Sequence, residues 1–238
     1  MLAFNPYPCV IYVLRINCPT ATVMIAYNGQ AAQDAFVLSV TKSKRNGTYV
    51  EIGSNHPVEI NNTFRLETIF GWKGIMVEYD PKWLPYYIEQ RPNSFHVIQD
   101  ATTIDYAAVF TAAALPLDID YLQIDLEVTN KSTLVALQLL NAQVMDTYRF
   151  ATVTFEHDIY RGDYFNTRAE SRAIFESRGY IRVFSDVTNL NSAFEDWYVH
   201  PDLVDMEYVS KIQRPHSISY LDVIAILATA TGTSKDPI

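Results

Sequence analysis

Short β-rich apolar runs alternate with segments of helical period along most of the chain, and this alternation is the feature that most restricts the fold. Six runs are predicted as strands, over residues 48–53, 74–79, 95–100, 121–126, 151–156 and 180–185. Helices are predicted over residues 32–45, 62–70, 82–89, 103–115, 132–143 and 168–178. Strands that alternate with helices imply right-handed crossovers and a parallel sheet that is covered on both faces. The predicted fold class is therefore α/β, with a doubly wound, mostly parallel sheet.

Several boundary residues agree with this pattern. Asn46-Gly47 is predicted to close the first helix, and Gly179 to supply the left-handed residue that ends the helix before the last run. Thr102 with Asp105 resembles a capping box at a helix start. Residues 1–31, with their own β-rich runs, are predicted as an N-terminal appendage to a single domain over residues 32–238. The mixed segment after Asn189 is not assigned.

Composition restricts the partners. Lys and Arg number 18 and Asp and Glu number 27, which gives a formal net charge of −9. This balance argues against a dedicated nucleic-acid or anionic-membrane surface, because such a surface needs clustered positive charge. The apolar runs are shorter than a membrane span, and the first residues do not read as a secretory signal. The two cysteines alone make neither a disulfide framework nor a zinc site. We expect a cytoplasmic protein with no nucleic-acid or membrane partner.

Carboxylates end five consecutive predicted strands. They are Glu51, Glu78, Asp100, the pair Asp125 and Glu127, and Glu156. Ligands of an open parallel sheet bind outside the carboxyl ends of its strands, so these acids are the first candidates for a site that takes a cationic or hydroxyl-rich ligand. The alternative is that each acid caps the next helix.

Glu78 lies 25 positions beyond Gly53, a spacing typical of the acid that binds a ribose diol. The loop over residues 53–57 lacks the G-x-G-x-x-G pattern, which argues against a dinucleotide. A nicotinamide-dependent oxidoreductase is therefore the weakest of three functional hypotheses.

The segment GTYVEIGSNHPVEINNTFRLETIFGWKGIMVEYDP, residues 47–81, resembles the opening of the FkbM family of S-adenosylmethionine-dependent methyltransferases. The resemblance continues through QDATTIDYAAVF, YLQIDLE, FATVTFEHDIYR and EDWYVHP and covers roughly residues 32–205. It implies a class I methyltransferase fold with a Rossmann-like seven-stranded sheet and S-adenosylmethionine across the first three strand ends.

The resemblance also implies residue roles. Glu51, Gly53, Ser54 and Asn55 would surround the methionine part of the cofactor, and Thr63 would bind its carboxylate. Glu78 would take the ribose hydroxyls, with Tyr79 beside the adenine and Asp100 and Ala101 at the adenine edge. Thr63 and Tyr79 have alternative readings, as an N-terminal helix residue and a packing aromatic.

On the acceptor side the chain departs from the family pattern. Val128 and Asn130 stand where the family commonly has Gly and Glu. Asp125, Glu127 and His157 are candidate bases for a hydroxyl acceptor. His157 is alternatively a structural hydrogen-bonding hub.

Three further assignments stay open. Mg²⁺ on Asp125, Glu127, Glu156 and Asp158 is a less favoured alternative. The segment 196–198 is either a lid over the acceptor or core packing, and the segment 218–228 packs on the sheet or makes a homodimer contact.

The favoured function is S-adenosylmethionine-dependent O-methylation of a hydroxyl on a sugar or other small metabolite, with the acceptor class taken from the resemblance. The alternative is a catalytically silent module that keeps the fold and the cofactor site.

Overall fold

The computed structural model describes residues 12–18, 21–127, 130–162 and 164–231, with the side chains of 12–18, 21–25 and Thr231 left undescribed. The described strands are β1 Tyr12–Cys18, β2 Ala21–Tyr27, β3 Thr48–Ile52, β4 Lys73–Glu78, β5 Phe95–Ile98, β6 Asp118–Ile124, β7 Arg149–Glu156, β8 Ile181–Asn189, β9 Ser192–Val199 and β10 Arg214–Ser219. The described helices are α1 Gln33–Val40, α2 Phe64–Phe70, α3 Leu84–Gln90, α4 Tyr106–Ala112, α5 Ser132–Gln143, α6 Phe165–Ser177, α7 Met206–Ile212 and α8 Tyr220–Thr231.

The main sheet confirms the predicted doubly wound α/β class. Its strand order is β10-β8-β9-β7-β6-β3-β4-β5, and every neighbouring pair is parallel except those of β9. β9 runs antiparallel to both β7 and β8. The described sheet has eight strands rather than the expected seven, because β10 adds an edge strand beside β8. The order reverses between β3 and β6, so a crevice opens at the carboxyl ends of these two strands.

Two hydrophobic cores lie on opposite faces of the sheet. Side chains of a strand alternate between faces, so Tyr49 of β3 faces one core and Val50 the other. The first core joins the sheet to buried residues of α1, α2, α7 and α8. The second joins it to buried residues of α4, α5 and α6.

The helix ends partly follow prediction. Gly179 has the left-handed φ of 84° expected after α6. The capping-box reading is wrong for Thr102. Asp105 caps α4 by accepting the N–H of Ala108 at 3.0 Å, whereas Thr102 donates to Asp100.

Tyr27 at the end of β2 and the buried residues of α8 both belong to the first core. β1 and β2 form an antiparallel hairpin, and β2 contacts α1 and α8. The Asn28 side chain donates to the backbone oxygens of Val58 and Asn61, so the residues after the hairpin belong to the main body. Val223 and Leu227 of α8 are fully buried, which places this segment on the fold itself. No helix in the described ranges is long and apolar enough to cross a bilayer.

Candidate functional site

A cavity of about 440 Å³ lies outside the carboxyl ends of β3, β4, β5 and β6. This volume is within the range of small-ligand sites. We call it the nucleoside cavity because the residues predicted to border a ribose and an adenine, Glu78, Tyr79, Asp100 and Ala101, lie on its wall. Its walls are Gly53, Val77, Glu78, Tyr79, Gln99, Asp100, Ala101, Leu126, Glu127, Asn130 and Ser132.

Gly53 brings the loop after β3 close to both neighbouring strands. Its N–H donates to the Val77 oxygen at 3.0 Å, and its φ is +88°, which side chains rarely adopt. A Cβ at this position would lie 1.7 Å from the backbone oxygen of Asp125. Only glycine fits here, and the loop backbone therefore lines the cavity directly.

Glu78 is held at the end of β4 through both carboxylate oxygens. Oε2 accepts the N–H of Asn55 at 2.8 Å, and Oε1 accepts the N–H of Asp80 at 2.9 Å. Asn55 itself has a left-handed φ of 48°. The partly exposed carboxylate is thus fixed in place at the cavity wall, where a ligand diol would meet a ready acceptor.

The predicted adenine residues line the same cavity. Tyr79 is 74% exposed, so it is not a core aromatic. The Asp100 carboxylate accepts the hydroxyl and the backbone N–H of Thr102, and these bonds lower the pKa of Asp100. The Ala101 oxygen accepts the Tyr106 hydroxyl at 2.8 Å, which ties the base of the wall to α4.

A second cavity, of about 290 Å³, shares Gly53 with the first. We call it the acceptor cavity because Asp125, a predicted base for the acceptor, lies on its wall. It is lined by Gln30, Glu51, Gly53, Ser54, Asn55, His56, Glu59, Ile60, Asn61, Asn62, Gln123 and Asp125. Four predicted methionine-side residues, Glu51, Gly53, Ser54 and Asn55, therefore lie together on its wall.

Glu51 is nearly fully buried. Its Oε2 accepts the Asn61 amide at 3.1 Å and the Thr63 hydroxyl at 2.9 Å. Burial raises the pKa of Glu51, although Arg91 opposes the rise.

Thr63 does not line either cavity. It is fully buried, and its hydroxyl donates to Glu51 and accepts from Arg91 at 2.7 Å. The structure gives it a role in positioning Glu51, and does not place it at a ligand carboxylate.

The three candidate bases lie in different places. Asp125 lines the acceptor cavity, whereas Glu127 is an exposed wall residue of the nucleoside cavity, 3.5 Å from Arg161. Burial raises the pKa of Asp125, and the nearby acidic Asp158 adds to the rise. The fully buried His157 lines neither cavity, and its assignment as a base is corrected.

His157 belongs to a buried charge cluster behind the site. Its Nε2 lies 3.4 Å from Asp186 and 3.7 Å from Asp196, and these two carboxylates also pair with Arg168 and Arg172. The imidazole of His157 and the carboxylates of Asp186 and Asp196 are close enough to one another to hold a cation. The guanidinium groups of Arg168 and Arg172 already pair with these carboxylates. His157 therefore has a structural place among charged groups, as the hub alternative expected, but neither of its ring nitrogens has a hydrogen-bond partner, so its contacts are ion pairs and not the expected hydrogen bonds.

The lid hypothesis for Asp196, Trp197 and Tyr198 is wrong. All three are fully buried in β9, between β7 and β8. Trp197 stacks against Phe36 of α1 at a ring distance of 5.0 Å, so these aromatics are core packing.

The helix-cap alternative holds for other acids. Asp80, Asp105 and Asp205 accept backbone N–H groups at helix starts. Glu51 and Glu78 do not cap helices, so capping does not explain these two strand-end acids. Of the two departures from the family pattern, Val128 lies outside the described residues, and the Asn130 side chain accepts the N–H of Ser132.

Sequence reasoning missed Gln123 and Arg91. Gln123 lies two positions before Asp125 and on the same side of β6, which is the signal that places it in the acceptor cavity. Fully buried Arg91 bonds to Glu67, Asn61 and Thr63. Nothing in the sequence around Arg91 marks it as buried.

No family model and no curated protein matches the chain. Among solved structures, it is similar to a TehB-like SAM-dependent methyltransferase from Corynebacterium glutamicum, at 14% identity and TM-score 0.47 over 71% of this chain and 87% of that one. It is also similar to fibrillarin from Aeropyrum pernix with natively bound S-adenosyl-L-methionine, at 13% identity and TM-score 0.46 over 82% and 85%. A methyltransferase from Pyrococcus furiosus gives 12% identity and TM-score 0.45 over 71% and 83%. At these values no substrate or activity is carried over.

Proposed function

We propose that the protein transfers the methyl group of S-adenosylmethionine to a hydroxyl of a small polar acceptor, such as a sugar. The observation that carries this proposal is the fixed Glu78 carboxylate, which is bonded to the loop after β3 and lines the nucleoside cavity together with Gly53. A carboxylate at the second strand end suits a ribose diol, and the glycine leaves the backbone open to the ligand. The two cavities share the wall residue Gly53, and the acceptor cavity would take the methionine part of the cofactor with the reacting hydroxyl beside it.

The residues present fit this cofactor. Glu78 would hold the ribose hydroxyls, and Tyr79 and Asp100 would border the adenine. The buried Glu51 and the loop over residues 53–55 would border the methionine part. When bound, the cofactor supplies a methyl group on a positively charged sulfur.

The chain's own contribution to the chemistry is orientation and proton removal. Of the three candidate bases, Asp125 is the one that lines the acceptor cavity. Its raised pKa, caused by burial, makes its carboxylate a stronger base than an exposed aspartate. We assign the removal of the acceptor proton to Asp125.

The proposal is tested by isothermal titration of the full chain with S-adenosylhomocysteine, and with NAD in parallel. We expect S-adenosylhomocysteine to bind and NAD to give no heat. Absence of heat and of a thermal shift at millimolar S-adenosylhomocysteine would overturn the proposal. Binding without methylation of any hydroxylated acceptor in a broad panel would favour the catalytically silent module instead.

A further inference from the structure

A third cavity, of about 470 Å³, lies at the end of the sheet opposite the candidate site. Arg149 begins β7, Tyr180 precedes β8 and His200 follows the antiparallel β9, and all three line this cavity. We call it the amino-end cavity because it lies at the amino ends of β7 and β8. β7 crosses the sheet over eight residues, which is roughly 25 Å, so the amino-end cavity is remote from the nucleoside and acceptor cavities.

Two buried side chains bring unused hydrogen-bond donors to this wall. The hydroxyl oxygen of Tyr180 accepts the Phe150 N–H at 2.9 Å, and burial raises the pKa of Tyr180, so the hydroxyl keeps its proton for donation. The Nδ1 atom of His200 accepts the Asp202 N–H at 3.3 Å, and burial lowers the pKa of His200, so the neutral ring carries its proton on Nε2. Tyr180 and His200 are only 5% and 9% exposed, and among the described residues none accepts from either group. Such donors are suited to a ligand that supplies acceptor oxygens.

The charge of the amino-end cavity is positive on its described wall, where Arg149 and Arg178 face the single carboxylate of Asp146. Arg149 uses three of its five N–H groups, on Asp118 and Asp202. Arg178 uses four, on the end of α5 and on the turn after it. Both guanidinium groups therefore keep N–H groups for a ligand. The three carboxylates that pair with them are exposed, and exposed ion pairs contribute little, so a bound anion would compete with them at small cost.

This donor set differs from that of the candidate site. The described wall of the nucleoside cavity has Glu78, Asp100 and Glu127 and no lysine or arginine, whereas the amino-end cavity combines two guanidinium groups with two neutral donors. Planar guanidinium groups match the oxygens of phosphate and carboxylate groups. The cavity volume is large enough for a small molecule that carries such a group.

We propose that the amino-end cavity is a second ligand site, which binds the oxyanion group of a small metabolite, a phosphate ester or a carboxylate. Arg149 and Arg178 donate to the oxyanion and balance its charge. The Tyr180 hydroxyl and the His200 Nε2–H donate to the same group or to oxygens beside it. Because this site lies at the other end of the sheet, it does not depend on the proposed methyl transfer.

The test is isothermal titration of the full chain without S-adenosylhomocysteine, in a Tris chloride buffer of low ionic strength near neutral pH. The probes are glycerol phosphate and succinate, with glycerol as the neutral control. We expect at least one of the two anions to bind about tenfold or more tightly than glycerol, with a Kd of about a millimolar or below. The affinity should fall as sodium chloride rises from about 20 to about 200 mM, because salt screens the guanidinium charges. The anion that binds more tightly identifies the ligand as a phosphate ester or a carboxylate.

The variants Arg149→Gln and Arg178→Gln should each raise the Kd about tenfold, and Tyr180→Phe should raise it about threefold. Arg45→Gln removes an exposed positive charge outside the cavity and should leave the Kd unchanged. The urea unfolding midpoint of each variant reports folding, and Arg149→Gln, which loses only exposed ion pairs, tests the site even where Arg178→Gln does not fold. No heat with either anion at about 10 mM, binding no tighter than that of glycerol, or an unchanged Kd in Arg149→Gln would each overturn the inference.

Discussion

Glu78 at the end of β4 accepts the backbone N–H of Asn55 at 2.8 Å, which fixes the loop after β3 to the second strand of the site. The Tyr87 hydroxyl donates to the backbone oxygen of the same Asn55, so α3 secures this loop as well. The loop geometry and the carboxylate position therefore depend on each other. A ligand diol would meet a carboxylate already oriented by two backbone N–H groups.

The first prediction concerns this carboxylate. Glu78→Gln keeps the side-chain shape, but its NH₂ group must face one of the N–H groups of Asn55 and Asp80. We expect the dissociation constant for S-adenosylhomocysteine to rise about tenfold or more, because a charge-assisted bond to the ligand is lost. Isothermal titration measures it. Glu89→Gln, an exposed change in α3 outside both cavities, should leave the affinity unchanged, and an unchanged affinity in Glu78→Gln would remove Glu78 from the ligand site.

The second prediction concerns Gly53. Gly53→Ala places a Cβ against the Asp125 backbone oxygen and forces a side chain into a positive φ. We expect the free energy of unfolding to fall by about 2–4 kcal/mol and S-adenosylhomocysteine binding to weaken, since the loop must move. Urea denaturation and titration measure the two effects.

Gly179→Ala is the matched control for Gly53→Ala. Gly179 has a similar φ of +84°, but nothing lies within 4 Å of the added Cβ. Its cost should be that of backbone strain alone, about 1 kcal/mol. Equal losses in the two variants would show that the contact with Asp125 has no effect.

The third prediction concerns Arg91, whose fully buried guanidinium group bonds to Glu67 at 2.8 Å and to the Asn61 and Thr63 side chains that hold Glu51. Arg91→Met leaves the Glu67 carboxylate buried without its cation. We expect a loss of about 3–5 kcal/mol in the free energy of unfolding, measured by urea denaturation. Arg149→Met removes an exposed ion pair with Asp118 and should change the unfolding midpoint little. Similar losses in both variants would contradict the role of Arg91.

The regular alternation was sufficient to predict β3 to β8 and α1 to α6. It failed after Asn189 for identifiable reasons. In β9 the buried Glu195 and Asp196 interrupt the apolar pattern. Their partners Gln33 and Arg172 come from distant segments, so the local sequence does not show that these two acids are buried. β10 contains Pro215 and has mostly exposed residues, as an edge strand allows.

In the candidate site, too, the residues at strand ends could be predicted from the sequence, whereas the contacts between distant segments could not. Acids that end neighbouring parallel strands could be predicted to converge, since only strand order is needed, and Glu78 and Asp100 do line one cavity. The wrong assignment of His157 arose because its partners lie on β8 and β9. Asp186 has a left-handed φ of 47° at an irregular point of the β8–β9 register, and local sequence does not reveal this contact.

The last prediction concerns the pH dependence of stability at His157. Burial lowers the pKa of this imidazole, but Asp186 and Asp196 outweigh burial, so its pKa is raised above the ordinary value of 6.5. The folded state therefore binds the proton more tightly than the unfolded state. The stabilisation is fully present below about pH 6.5 and is lost as the pH rises through the raised value. The Asp186 and Asp196 carboxylates behave in the opposite way. Burial raises their pKa values, but their His and Arg partners outweigh burial and lower them. Their contribution to the free energy of unfolding is therefore lost only in acid.

His157→Asn should thus lower the free energy of unfolding by about 1–3 kcal/mol at about pH 5.5 and by clearly less at about pH 8.5. Urea denaturation at the two pH values measures the difference. His200→Asn provides a control of opposite sign, because burial lowers the pKa of His200 and the folded state then disfavours its protonation. The free energy of unfolding of the wild type, relative to that of His200→Asn, should therefore rise as the pH rises from about 5.5 to about 8.5. If His157→Asn lowers the free energy of unfolding equally at both pH values, the ring contributes packing and not charge. The carboxylates of the cluster would then be neutralised by Arg168 and Arg172 alone.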